Sequence, residues 1–183
     1  WQAEDVQRLG CEYLLSGECG HGYRALRWEL SNWLGGVNFK ITSVMELMAD
    51  LVLRGKLKLN KSVWAGKRFT YHDSCNIARS GGILEEPRII IRAAVDDFVE
   101  MEHNREHGFC CGGGGGALAM PEFSPRRIAA GKIKADEIRA TGANVVLQSC
   151  HNCTDQLKEI CEHYHINAKV MNLAELVAAA VVL

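Results

Sequence analysis

Asn144-Val145-Val146-Leu147-Gln148-Ser149-Cys150-His151-Asn152-Cys153 is the stretch whose reading decides the fold. Asn144 to Gln148 is an apolar run of the length of one buried strand, and it stops at Ser149-Cys150, where a loop begins. A helix from about Asn152 to His163 follows, then a strand over Ala168-Lys169-Val170-Met171 and a final helix to Leu183. Strands alternating with helices in this order predict an α/β fold with short parallel sheets flanked by helices. Upstream, Phe69-Thr70-Tyr71-His72 predicts another short strand running into a loop at Asp73-Ser74-Cys75. Pro87 suits the first turn of a helix, and Ile91, Ala94, Val95, Phe98 and Val99 predict a helical stripe over Ile89 to Met101. Gly108 to Gly116 is a loop by composition, Ser124-Pro125 starts a helix, and Gly142 ends it.

The charge balance narrows the function classes. With 21 Lys+Arg against 22 Asp+Glu, the 183-residue chain carries a formal net charge of -1. That gives no electrostatic argument for nucleic acid or an acidic membrane surface as the main partner. The composition, 48% hydrophobic and 23% charged, is that of an ordinary globular domain. The longest wholly apolar run, Leu176 to Leu183, is too short to span a bilayer. No secretory signal is visible, and the start at Trp1 rather than Met leaves room for an upstream segment.

Cysteines stand at 11, 19, 75, 110, 111, 150, 153 and 161. A disulfide framework suits small secreted chains with poor cores, and a chain of this size needs none. Cys75, Cys110-Cys111 and Cys150-x-x-Cys153 instead fall at three strand-to-loop transitions. In α/β sheets such loops converge outside the carboxyl ends of the strands. A thiolate-rich pocket there selects zinc or an iron–sulfur cluster over hard cations. Five thiolates exceed the four ligands of a closed zinc site and the one cysteine per iron of a regular cubane. A cluster with a bridging thiolate, or an opened cube, would use all five. The run Gly112-Gly113-Gly114-Gly115-Gly116 lacks Cβ atoms, so its backbone can approach a bulky inorganic group and aim N–H groups at sulfur.

The chain also echoes itself. Asn38 to Leu47 aligns with Asn167 to Leu176, with Asn, Lys, Glu and Leu identical at four of ten positions. The echo suggests a duplicated α/β unit. Residues 1–66 would then be the closing half of a first, incomplete repeat, and 67–183 a complete second one.

The pattern Cys75…Cys110-Cys111-Gly112…Cys150-x-x-Cys153 resembles the cysteine-rich CCG domain of heterodisulfide reductase catalytic subunits. The flanks agree: Tyr71-His72-Asp73-Ser74-Cys75, Glu86-Pro87-Arg88 and Phe109-Cys110-Cys111-Gly112-Gly113-Gly114. Ser16-Gly17-Glu18-Cys19-Gly20-His21 looks most like the Hdr-like menaquinol oxidoreductase branch, which accompanies dissimilatory sulfite reduction.

The resemblance implies that Cys75, Cys110, Cys111, Cys150 and Cys153 hold a non-cubane [4Fe-4S] cluster, with Gly112, Gly113 and Gly114 against it. It implies reduction of a disulfide, either a small heterodisulfide or one on a carrier protein. Electrons would come through a ferredoxin-like iron–sulfur module and a membrane quinol-oxidising cytochrome subunit, placing the chain in the cytoplasm at the membrane's inner side. No Cys-x-x-Cys-x-x-Cys-x-x-x-Cys-Pro run is present, so that module is expected elsewhere. The alternatives are a zinc-bound structural domain and an electron relay in lactate, glycolate or glycerol-3-phosphate oxidation.

Other residues carry lesser expectations. In the implied cleft Cys19 would meet substrate sulfur and His21 would supply a proton to the leaving thiolate. His72 is expected to orient the Cys75 loop, and His151 either donates to a cluster sulfur or faces solvent. Cys11 and Cys161 are expected in packing, and His103, His107, His163 and His165 at the surface. Arg126, Arg127, Lys132 and Lys134 are expected on a solvated helix face. Trp28, Trp33 and Trp64 are expected to pack in the first repeat or against a neighbouring subunit.

Overall fold

Two parallel sheets organise the computed structural model, which describes residues 2–114 and 116–182. The expectations that rest on Trp1, Gly115 and Leu183 lie outside the described residues. In chain order, helix α1 (Gln2–Arg8) and strand β1 (Tyr13–Ser16) lead into α2 (Gly20–Arg24), a π-helical turn and α3 (Leu30–Leu34). Then come β2 (Lys40–Ser43), α4 (Val44–Leu53), β3 (Arg68–Tyr71), α5 (Glu86–Ala94) and β4 (Asp97–Phe98). The chain continues through α6 (Ser124–Ala130), α7 (Lys132–Thr141), β5 (Val145–Gln148), α8 (His151–His163), β6 (Lys169–Asn172) and α9 (Leu173–Ala180). The expected α/β class is the one observed.

Alternation builds the larger sheet, whose strand order is β4-β3-β5-β6. Phe69, Tyr71, Val145, Leu147 and Met171 bury one face against Met45, Ile90, Ile91, Leu173 and Leu176 of α4, α5 and α9. Val146 and Val170 point the other way, toward Ala135, Ile138, Leu157 and Ile160 of α7 and α8. Central strands covered on both faces read as continuous apolar runs, which is why Asn144 to Gln148 is so legible. β1 pairs with β2 in register Leu14 to Ile41 and forms a separate two-stranded sheet. Both β2–α4 and β6–α9 pass from strand to helix through a capping box, Ser43 with Glu46 and Asn172 with Glu175. Their shared motif explains why the two segments echo each other in sequence.

Several boundaries differ from the sequence expectation. The stripe over Ile89 to Met101 is not one helix: α5 stops at Ala94, Val95 turns extended, and Phe98 pairs with Phe69 in the sheet. Of its later apolar residues Phe98 belongs to β4, and the Val99 N–H continues that pairing by donating to the Phe69 carbonyl. The helix expected from Ser124 to Gly142 is two, broken at Gly131. A Cβ at Gly131 would lie 2.5 Å from Ile160 Cδ1 and 3.2 Å from the Cys111 carbonyl oxygen. Close approach to α8 and the Cys111 loop therefore requires glycine there. Arg127 and Lys134 are not on a solvated face; both are buried, Arg127 against Gln156 and Glu159, Lys134 against Glu137. Trp28 and Trp33 are exposed, whereas Trp64 packs edge-on against Phe69. Cys11 is exposed rather than packed; Cys161 is buried. Among the described residues no helix is long and apolar enough to cross a membrane.

One ion pair ties the larger sheet to the loop after β3. Arg88 of α5 has no exposed side-chain surface. It binds both carboxylate oxygens of Asp73 at 2.8 and 2.7 Å and both of Glu100 at 2.8 and 2.9 Å. Asp73 also accepts from the Arg105 backbone N–H at 2.6 Å. Substituting Arg88→Met leaves the Asp73 carboxylate buried without its cation, which should cost about 3–5 kcal/mol. Arg54→Met, which removes an exposed pair with Asp50, should cost about 0.5 kcal/mol or less. Urea unfolding of both variants checks the contrast.

Candidate metal centre

All four strands of the larger sheet are parallel, so the loops that follow them leave from one edge. β3 runs out through His72-Asp73-Ser74 to Cys75, β4 leads by a longer loop to Cys110-Cys111, and β5 ends two residues before Cys150. Because β4, β3 and β5 are neighbours in the sheet, their three loops meet. A single small space there is lined by Cys75, Cys110, Cys111, Cys150 and Cys153, with His21, Asn76, Gly114 and Asn152 at its walls.

The thiols share protons. Cys111 Sγ donates to Cys153 Sγ at 3.4 Å, and the Gly112 N–H donates to Cys110 Sγ at 3.3 Å. Hydrogen bonds from the Cys111 and Cys75 thiols pull the Cys110 pKa far down. The same contact with Cys110 pushes Cys75 and Cys111 up. A bond from Cys153 lowers Cys150 to about 5, while Cys111 and Cys150 raise Cys153. Sulfurs coupled this way titrate as a set, and no cationic side chain lines the space among the described residues. Ionising all five together requires positive charge supplied from outside the chain. Soft donors in this number, with no protein cation to balance them, fit a thiophilic metal group.

Cys150 is the N-cap residue of α8 and Cys153 lies in its first turn, where the helix dipole favours thiolate. Gln148 holds that turn: its side-chain carbonyl oxygen accepts from the Cys150 N–H, and its amide donates to Thr154 and Asn172. Gly113 packs so closely on Gln156 that a Cβ would lie 2.7 Å from the Gln156 Cβ. Gln156 in turn accepts from buried Arg127 at 2.6 Å, which locks the glycine loop to α8. His72 is buried, and neither ring nitrogen has a hydrogen-bond partner. Its ligand atom and the sulfurs of Cys111 and Cys153 all lie within 4.8 Å of one another. Burial first and the Lys134 ammonium second push its pKa down to about 3. Lys134 pairs with Glu137, whose other oxygen binds His103, so that histidine is tied rather than loose at the surface. His151 faces solvent.

The loop after β1 closes over this edge. The Glu18 backbone carbonyl accepts from the His151 N–H at 3.2 Å, and its carboxylate accepts from the Ala174 N–H at 3.2 and 3.3 Å. Gly20 lies against the Cys75 loop so tightly that a Cβ would be 2.9 Å from the Asn76 Cβ. His21 is exposed and reaches the cysteine-lined space. Cys19 does not line that space: its sulfur caps α2, accepting from the Gly22 N–H at 3.4 Å. Sequence reasoning missed Glu18, Gln148 and Gln156 as supports of the site. The proximity of Glu18 to Cys19 and of Gln148 to Cys150 was the available signal, while the Glu18 partner Ala174 and the Gln156 partner Arg127 lie far away in the chain.

A cysteine-rich α/β domain with its thiols gathered at one sheet edge is thus the class this chain defines. Residues 69–158 match the cysteine-rich domain family CCG, so this segment of the chain is a CCG domain. It is 29% identical to the Hdr-like menaquinol oxidoreductase iron-sulfur subunit 2 of Archaeoglobus fulgidus, over 98% of this chain and 39% of that protein. It is 30% identical to a component of the dihydromethanophenazine:CoB–CoM heterodisulfide reductase of Methanosarcina barkeri, over 97% of this chain and 42% of that protein. EtfAB:quinone oxidoreductase of Syntrophomonas wolfei is 33% identical over 77% of this chain and 20% of its own length. The chain therefore spans less than half of each of these relatives.

Burial is the largest influence on Glu18 and raises its pKa from 4.5 to about 7, against the lowering effect of the Ala174 and Leu173 N–H groups. An acid raised on folding stabilises the folded chain fully below pH 4.5 and loses that contribution as pH rises through about 7. Glu18→Gln keeps an acceptor for Ala174 but cannot ionise. Thermal unfolding from pH 4 to pH 8 should show the parent losing stability relative to this variant across that window.

Proposed function

We propose that this chain is the cluster-bearing part of an oxidoreductase of the heterodisulfide reductase type. The observation that carries the reading is the meeting of five cysteine sulfurs from three loops around one space, in a chain that carries a CCG domain. On this reading Cys75, Cys110, Cys111, Cys150 and Cys153 hold a non-cubane [4Fe-4S] cluster, and the backbone of Gly112, Gly113 and Gly114 covers it. When bound, such a cluster supplies electrons one at a time, and converting a disulfide into two thiols takes two electrons and two protons.

The rest is done by the chain. Asn76, Asn152 and the Glu18–His21 loop frame the mouth of the space and limit what reaches it. His21, exposed at that mouth, delivers a proton to a departing thiolate. Cys19 stays a rim residue whose thiol is free to meet substrate sulfur when the α2 cap loosens. The substrate is a heterodisulfide, small or carried on a protein. The electrons reach this domain through a ferredoxin-like iron–sulfur module and a quinol-oxidising membrane subunit. Those partners would hold it at the cytoplasmic face of the membrane. The names of the Archaeoglobus and Methanosarcina relatives support this direction of the chemistry.

One observation favours a second reading. His72, Cys111 and Cys153 alone present a histidine and two thiols close enough for a tetrahedral ion, which suits structural zinc.

Anaerobic purification followed by iron, acid-labile sulfide and zinc analysis decides between them. About four irons and four sulfides per chain are expected; a colourless chain with one zinc and no iron sinks the oxidoreductase reading. Cys111→Ser should lose or convert the cluster, and full occupancy with an unchanged EPR spectrum in that variant rules out five-cysteine ligation. His21→Gln should slow disulfide reduction about 10²-fold at unchanged iron content. Full iron with no turnover of any disulfide would instead favour an electron relay.

A further inference from the structure

We propose that His72 donates a hydrogen bond from its ring N–H to a sulfur of the metal centre and thereby raises the centre's reduction potential. This inference rests on the iron–sulfur reading above. Its first support is an accounting problem. Buried polar groups are hydrogen-bonded with few exceptions, yet His72 is 1% exposed and both its ring nitrogens are without a partner in the protein. Its second support is position. The His72 backbone N–H continues the β3–β5 ladder, donating to the Leu147 carbonyl at 2.8 Å, so the residue cannot drift. Its ring lies within 4.8 Å of the sulfurs of two of the five cysteines that gather at the site.

The sulfurs beside the ring are the acceptors it can serve. A neutral imidazole carries a single N–H, and the sulfurs of Cys111 and Cys153, within 4.8 Å of a ring nitrogen, can accept it. Hydrogen bonds to the sulfurs are among the levers that set the potential of an iron–sulfur centre, because they stabilise the more negative, reduced form. His72 is on this account a positioning residue for the metal centre and makes no contact with the disulfide.

The test uses the full chain purified anaerobically, with His72→Phe removing the donor and His72→Gln restoring one. Redox titration followed by EPR should show the reduced-to-oxidised ratio of the Phe variant falling about tenfold at a fixed potential, a shift of about 59 mV for one electron. The Gln variant should recover most of it. In the parent labelled with ¹⁵N-histidine, pulsed EPR should show weak nitrogen coupling together with an exchangeable proton. An iron-loaded Phe variant with the parent's potential overturns the inference and leaves the functional reading standing. Strong coupling from a directly coordinated nitrogen overturns it in favour of a ligand role. Should the Phe variant lose its iron, the parent's spectrum decides: the exchangeable proton supports the donor, and its absence overturns it. A parent chain without iron overturns the functional reading and this inference together.

Discussion

A guanidinium with no exposed surface is the constraint on which the site depends. Arg88 binds Asp73 and Glu100 at once, the Arg105 guanidinium brings a second positive charge 3.6 Å from Glu100, and the backbone N–H of Arg105 adds to the hold on Asp73. Charged groups taken out of water must be paired and fully hydrogen-bonded, and this arrangement meets both conditions. Its geometry joins α5 to the two segments that leave β3 and β4. Those segments carry Cys75 and the Cys110-Cys111 pair, so three of the five thiols hang from one buried ion network. The other two are set independently, by the Gln148 side chain at the start of α8.

The site is built in shells of different chemistry. Thiols occupy the centre, and amide side chains and glycine backbone stand behind them at Gln148, Gln156, Gly112 and Gly113. Buried ion pairs, Arg88 with Asp73 and Lys134 with Glu137, stand further out. This order places fixed charge away from the sulfurs, and the space between them is bounded by neutral groups. The Glu18 loop completes the enclosure from the other sheet, and its close fit over Asn76 needs a glycine at position 20.

How much of this was legible depended on the range of the interactions. Val145 to Gln148 announced a doubly covered strand because burial on both faces leaves an unmistakable apolar run. Pro87 and Gly142 marked their helix ends because backbone geometry is local. The cysteine spacing was visible because thiols in numbers have few uses. By contrast, the end of α5 at Ala94 was hidden: Val95, Phe98 and Val99 continue its helical spacing, although Phe98 pairs in the sheet. Arg127 and Lys134 looked like surface residues because their partners, Gln156, Glu159 and Glu137, are specified only by the tertiary fold. Cys19 and Cys150 both precede helices, and nothing local distinguishes the sulfur that caps its own helix from the one that lines the shared space.

The strand order β4-β3-β5-β6 has a consequence in time. The three cysteine loops are brought together by neighbouring strands that are remote in sequence, and parallel pairing of this kind closes late because each contact spans a long stretch of chain. An unfolded chain offers Cys110-Cys111 or Cys150-x-x-Cys153 only as separate pairs of thiols. The full set exists only after the sheet is assembled, so a group that needs all five sulfurs would be loaded into a finished scaffold. A misfolded copy would lack the complete set of five thiols.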